Sequence, residues 1–176
     1  MNTMLQDEQI RLRALEMADA ASLYEWENMS NYWPSSGTLA PYSHRNIMRY
    51  IDEYEANPFK TGELRLVIER VADGQAVGLI DLYNVEVRHR RACVGILVSP
   101  LMQRQGYAFA ALRLMEVYCR QHLALHQLLA AVPSDNIASL RLFDKAGYRS
   151  IAHLCDYVAG RHEGEYLDAT VFSLIL

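Results

Sequence analysis

Residues 103–108, Gln103-Arg104-Gln105-Gly106-Tyr107-Ala108, hold the clearest chemistry in this 176-residue chain. They follow an apolar run and Pro100, and they open a stretch rich in Ala, Leu and Met. A strand that passes through a short loop into a helix presents unpaired backbone N–H groups at the positive end of the helix dipole. Gly106 lets the backbone approach an anion with no Cβ in the way. With Arg104 beside it, the segment reads as a phosphate cradle. Taken alone it also fits an ordinary turn between strand and helix. A second pattern starts 28 residues after Ala108: Asn136-x-x-Ser139-x-x-Leu142-Phe143-x-x-x-Gly147-Tyr148. By itself Asn136 fits a helix cap, and Ser139 a polar first-turn residue.

Other reactive side chains carry less. His122 and His126 stand four apart, but no Glu follows His122 and the helix is ending there, so no metal site is expected. Arg88-His89-Arg90-Arg91 reads as a solvated basic turn. Cys93, Cys119 and Cys155 are odd in number, widely spaced and without a C-x-x-C pair, which argues against a disulfide scaffold and for a reducing compartment. Cys93 lies on an expected central strand and fits a buried structural thiol. A hydrophobic fraction of 51% with 22% charged residues is the balance of a globular protein. The net charge of -4 gives no bulk attraction for nucleic acid or anionic membrane, and neither is expected as a partner. The first eight residues include Asp7 and Glu8 where a signal peptide needs an apolar core, and no apolar run approaches a membrane span. The expected location is cytoplasmic.

The elements that must position these residues follow from periodicity. Residues 10–15 alternate as a first strand; Asp19 is placed to cap a helix carrying Leu23, Tyr24 and Trp26. Residues 31–41 read as a loop dense in aromatic groups. Ser43 caps a second helix with Ile47, Tyr50, Ile51 and Tyr54, ended by Asn57-Pro58. Residues 64–68 and 76–83 form strands around the turn at Ala72-Asp73-Gly74, and residues 92–99 form a buried fourth strand stopped by Pro100. A long helix reaches His122. Residues 127–132 form a fifth strand, Asn136 opens a short helix closed by Gly147, and residues 148–158 and 166–176 pair as the last two strands. The sum is a mixed α/β (α+β) single domain over residues 1–176, with about seven strands and four helices.

Both motifs, in this order and on these elements, resemble the GNAT N-acetyltransferase superfamily. Its cofactor loop reads Arg/Gln-x-x-Gly-x-Gly/Ala, and its second motif reads Asn-x-x-Ala/Ser-x-x-Leu-Tyr/Phe-x-x-x-Gly-Phe/Tyr. The stretch from Val77-Gly78-Leu79-Ile80-Asp81 through His89-Arg90-Arg91-Ala92 looks like the spermidine and ribosomal-protein N-terminal acetyltransferases within it. The resemblance implies a mostly antiparallel central sheet splayed between strands four and five. It implies acetyl-CoA as co-substrate, with no metal. The pantetheine arm would pair with Ile96, Leu97 and Val98; the amides of Gln103, Arg104, Gln105, Gly106, Tyr107 and Ala108 would hold the pyrophosphate. Asn136 would contact the pantetheine, while Ser139 and Phe143 would line the sulfur end. Tyr32 and Trp33 fall where relatives wall the acceptor site.

The expected reaction moves an acetyl group to a primary amine of a small molecule or protein N-terminus by direct attack. The amine must shed a proton, since an alkylamine has a pKa of about 10.4. Asp81 is the first candidate base, followed by His89 and Glu86. Many relatives carry a tyrosine acid at the position of Phe143, and phenylalanine donates no proton. The aromatic loop lacks carboxylates, and Cys93 stands where the polyamine-acetylating relatives have an acid. These departures point away from a polyamine. A non-catalytic acyl-CoA-binding module is the other class compatible with the missing tyrosine. A homodimer is left open.

Overall fold

A computed structural model describes residues 4–160 and 162–176. Met1, Asn2 and Thr3, part of the stretch weighed against a signal peptide, and Arg161, in the expected last turn, lie outside them. Seven strands form where apolar and polar residues alternate or where apolar residues run together. They are β1 (Ile10–Arg13), β2 (Leu64–Arg70), β3 (Ala76–Glu86), β4 (Arg91–Val98), β5 (Gln127–Pro133), β6 (Arg149–Ala159) and β7 (Tyr166–Ile175). Hydrogen bonding orders them β1-β2-β3-β4-β5-β7-β6. The first three pairings are antiparallel and β4–β5 is parallel, as the mixed, mostly antiparallel sheet requires.

The four expected helices are present: α1 (Ala20–Glu27), α3 (His44–Asp52), α5 (Tyr107–Gln121) and α6 (Ile137–Lys145). Two single-turn helices join them, α2 (Trp33–Ser36) inside the expected loop and α4 (Pro58–Thr61). Each has proline in its first turn, where no N–H is missed, and a left-handed glycine after it, Gly37 and Gly62. Pro58 therefore starts a helix instead of ending one; α3 has already stopped at Asp52. Ser43 caps α3 as expected, accepting from the Asn46 N–H at 3.1 Å. Asp19 occupies the N-cap of α1, but its side chain makes no cap bond there. Its carboxylate accepts from the Glu16 N–H at 2.9 Å and closes the preceding 3-10 turn, Met17–Asp19. No helix among the described residues is long and apolar enough to cross a membrane.

The chain clusters into two compact units, each built from separated stretches. The first takes the chain up to Leu15, Glu55–Ala130 and Ser173–Leu176. Its core is Val67, Ile68, Val77, Ile80, Leu82, Val94 and Leu128 from the strands, with Ala111, Leu112, Met115 and Cys119 from α5. Those four sit at the one-, four- and eight-residue offsets of one helix face. Burial pushes the Cys119 thiol up to about 12, so it stays protonated. Arg11 and Arg13 of β1 both pair with Glu69 of β2. Burial works to raise that carboxyl, but Arg13 and Arg11 together hold it below the usual carboxylate range. The second unit takes Glu16–Tyr54 and Ala131–Phe172. There Leu23 and Trp26 of α1 and Ile47 and Ile51 of α3 are buried, and the Tyr24 and His44 rings stack at 3.6 Å.

One residue fixes how closely β3 and β4 approach. A Cβ on Gly78 would lie 2.1 Å from the Leu97 carbonyl oxygen and 3.0 Å from the Val98 Cα. Gly95 has only the Tyr83 ring near it, at 3.5 Å. Gly78→Ala should therefore force the strands apart and cost about 1–3 kcal/mol by overpacking, whereas Gly95→Ala finds room. Urea unfolding of the two variants checks this; equal midpoints would show that the close approach carries no constraint.

Candidate functional site

The loop after β4 is built to expose backbone amides. Arg104 has φ 62° and Gly106 has φ 88°, both left-handed. Gly106 is the N-cap of α5 and no side chain caps that helix. The N–H groups of Tyr107 and Ala108 thus open a 15-residue helix whose dipole favours negative charge. The side chains around them turn to structural work. Gln9 Nε2 donates to the Gln105 carbonyl at 2.8 Å, and the Tyr107 hydroxyl donates to Gln105 Oε1 at 3.2 Å. Arg70 Nη1 reaches the Tyr107 hydroxyl at 3.5 Å. Gln103 Nε2 donates to the Val98 carbonyl at 3.1 Å, tying the loop to the end of β4. Arg104 remains exposed. A Cβ on Gly106 would meet nothing nearer than Gln9, at 3.7 Å, so the φ of 88° and the open approach, not crowding, make glycine the fit.

Strand β4 is prepared in the same way. β3 pairs with it as far as Val98, opposite Gly78. β5 pairs with it only over Arg91, Ala92 and Cys93, opposite Gln127, Leu128 and Leu129. Ile96, Leu97 and Val98 are thus held on one edge and lie beyond the last β4–β5 pair on the other. This matches the splay read from the sequence. The amides of that free edge and of the loop suit an extended, amide-bearing arm ending in phosphates, so the residues fit the cofactor that the sequence implies.

A groove of about 700 Å³ has Cys93 and Leu129, the last β4–β5 pair, among its lining residues. Tyr83, Asn84, Glu86, Arg91, Cys93 and Glu63 are among its lining residues. A register shift in β3 between Tyr83 and Glu86, with Asn84 at φ 50°, turns these side chains into it. The Val85 N–H, bonded to the Gly62 carbonyl at 3.0 Å, anchors that bulge to the end of α4. Arg91 donates to Glu86 at 2.8 Å, and chiefly for that reason the Glu86 carboxyl sits below its usual range. Cys93 is half-buried; burial pushes its thiol up against a smaller opposite pull from an Asn84 hydrogen bond. Asp81 stands apart from the lining residues. Both its oxygens accept from Arg65, each at 2.9 Å, across the β2–β3 pair. Glu63, Tyr83 and Asn84 were not legible as site residues, because only the bulge brings the turn after α4 to the end of β3.

In the second unit, the other motif folds as a capped helix. Asn136 Oδ1 accepts from the Ser139 N–H at 3.1 Å, the plain cap geometry. Phe143 is buried, edge-on to Tyr148 at 5.0 Å and stacked on Phe172 at 5.8 Å. Tyr32 ends a single 3-10 turn and Trp33 begins α2; the Trp33 indole N–H donates to the Glu27 carbonyl at 3.0 Å, which fixes the ring.

Residues 9–149 match the family model described as Acetyltransferase (GNAT) domain, and the chain belongs to that family. It is 29% identical over 142 residues to spermidine N(1)-acetyltransferase of Escherichia coli strain K12, covering 79% of this chain and 72% of the relative. It is 26% identical over 160 residues to the enzyme of that name from Vibrio cholerae, covering 88% of each. A solved structure of the Vibrio cholerae spermidine N-acetyltransferase with CoA and spermine shares the fold, with a TM-score of 0.83 over 96% of each chain at 24% identity. The protein is an acetyl-CoA-dependent N-acetyltransferase, and the reading as a binding module without catalysis is not favoured. Gly106→Val places a β-branched residue at a left-handed φ. It should weaken acetyl-CoA binding at least tenfold, about 1.4 kcal/mol, with the fold retained by circular dichroism; an unchanged calorimetric affinity would overturn the role of the loop.

Proposed function

We propose that this enzyme acetylates an amine carrying a single positive centre, on a small molecule or a peptide N-terminus, in preference to a polyamine. The charge of the groove at the β4–β5 parting carries the proposal. Its lining includes two carboxylates, Glu63 and Glu86, and one guanidinium, Arg91, already paired with Glu86. One negative charge is left, which matches one ammonium; the several charges of spermidine, the substrate named for the relatives, call for more. A structural relative from Vibrio cholerae is described as dodecameric, which supports a homo-oligomer for this chain and gives no preference to a dimer.

Acetyl transfer then runs by direct attack. The amine, neutral after losing its proton, adds to the thioester carbon; the carbonyl electrons move to oxygen, where β4 backbone N–H groups stabilise the oxyanion. Collapse expels the thiolate. The raised Cys93 thiol stays protonated at neutral pH and is a poor acyl carrier, which favours one-step transfer over an acyl-cysteine. Glu86, held low by Arg91, is a weak base and a good counter-charge. Asp81 would have to release Arg65 before taking a proton, so water at the groove carboxylates is the simpler route. For Asn136, Ser139 and Phe143 the family resemblance alone supports a role at the pantetheine and sulfur end.

Two measurements follow. Across a panel of monoamines, peptide N-termini and polyamines, the best monocationic acceptor should exceed spermidine in kcat/KM by about tenfold, roughly 1.4 kcal/mol in the barrier; spermidine at the top of the panel would refute the assignment. Phe143→Tyr restores a proton donor among Tyr148 and Phe172. It should raise turnover several-fold, short of the roughly 100-fold that a well-placed general acid can supply. Steady-state rates across alkaline pH decide it, and a variant no faster at any pH would mean that thiolate departure does not limit the reaction.

A further inference from the structure

The β6–β7 pair carries a cluster that acetyl transfer does not use. His153 and Cys155 are two residues apart on β6, hence on one face of that strand, and Asp168 stands on the neighbouring β7. One donor atom from each, an imidazole nitrogen, the thiol sulfur and a carboxylate oxygen, lie within 4.8 Å of one another. His153 Nε2 is 2.9 Å from Asp168 Oδ2. The other oxygen, Oδ1, accepts from the Asp156 N–H at 3.0 Å. Asp156 has φ 49°, a left-handed break in the strand at the residue that provides this bond. The carboxylate is thereby oriented by the backbone, as the outer partners of metal ligands are.

We propose that His153, Cys155 and Asp168 bind one divalent transition-metal ion of the zinc class, with a fourth position open to water. A nitrogen, sulfur and oxygen set suits Zn²⁺ or Co²⁺, whereas Mg²⁺ and Ca²⁺ take oxygen alone. Around a tetrahedral zinc an imidazole nitrogen at about 2.0 Å and a thiolate at about 2.3 Å stand about 3.5 Å apart. Closing from 4.8 Å asks for about 1 Å of movement, and the His153 and Cys155 side chains that would make it are exposed. On binding, the thiol proton goes to solvent, the imidazole takes its Nδ1–H tautomer, and Nε2 and the carboxylate turn to the metal in place of their hydrogen bond. The Asp168 carbonyl accepts from the Ser134 N–H at 2.8 Å, two residues before Asn136. An ion on the Asp168 side chain therefore stiffens the strand on which the α6 cap loop hangs.

The untagged full chain titrated with Co²⁺ tests this. One equivalent should produce visible ligand-field absorption with a thiolate-to-cobalt charge-transfer band, displaced by Zn²⁺. Cys155→Ser should remove the charge-transfer band and weaken Zn²⁺ binding at least about 100-fold; His153→Asn and Asp168→Asn should each weaken it about 10-fold or more. An unchanged circular dichroism spectrum of each variant shows that the fold is intact. Absence of a charge-transfer band at stoichiometric Co²⁺, or a band that survives Cys155→Ser, would overturn the site.

Discussion

The early end of the β4–β5 pairing is the constraint on which the functional surface depends. Three residue pairs join the strands, and after Cys93 and Leu129 they separate. Peptide groups left without a strand partner are costly unless something else binds them. β4 meets this halfway: its other edge is paired with β3 as far as Val98, so its backbone is rigid where it is open. Gly78 is what lets β3 hold it that tightly. A fixed strand with one unmatched edge is a template for an extended amide chain, and the same parting makes room for an acceptor.

The anion loop illustrates a division of labour between backbone and side chains. Gln103, Gln105 and Tyr107 spend their polar groups on β4, on one another, and on Gln9 and Arg70. That network orients the peptide groups of the loop before any ligand arrives, which is how a site lowers the cost of ordering on binding. Arg104 and Gly106 adopt left-handed backbone angles within three residues, and such alternation turns successive N–H groups toward one concavity. Arg104, exposed, is the charged side chain of the loop.

The groove proposed for the acceptor departs from what the relatives' names suggest. Its charge is nearly balanced within the protein, since Arg91 occupies one of the carboxylates. Cys93 contributes a thiol kept protonated by burial, where an acidic side chain would add a charge. Phe143 adds no proton donor and belongs to an aromatic cluster with Tyr148 and Phe172.

The class of fold and the backbone form of the loop before α5 were legible in the sequence because both rest on local rules. Strand alternation, the αL glycine at 106, the Asn136 cap and Gly147 at a helix end are set by neighbours a few residues away. Local rules also misled where two of them competed. Pro58 reads as a stop and acts as a first-turn residue, and Asp19 reads as a cap of α1 and closes the turn before it. Tertiary structure alone decided the partners. Arg65 claims Asp81 from sixteen residues away, because antiparallel register sets Arg65 opposite Asp81. A bulge at Asn84 swings Glu86 into the groove with Glu63, and a chain reversal brings Asp168 to His153 and Cys155. Sequence fixes which side chains can do chemistry; register, bulges and hairpins decide which of them meet, since those depend on hydrogen bonds between residues that the chain separates.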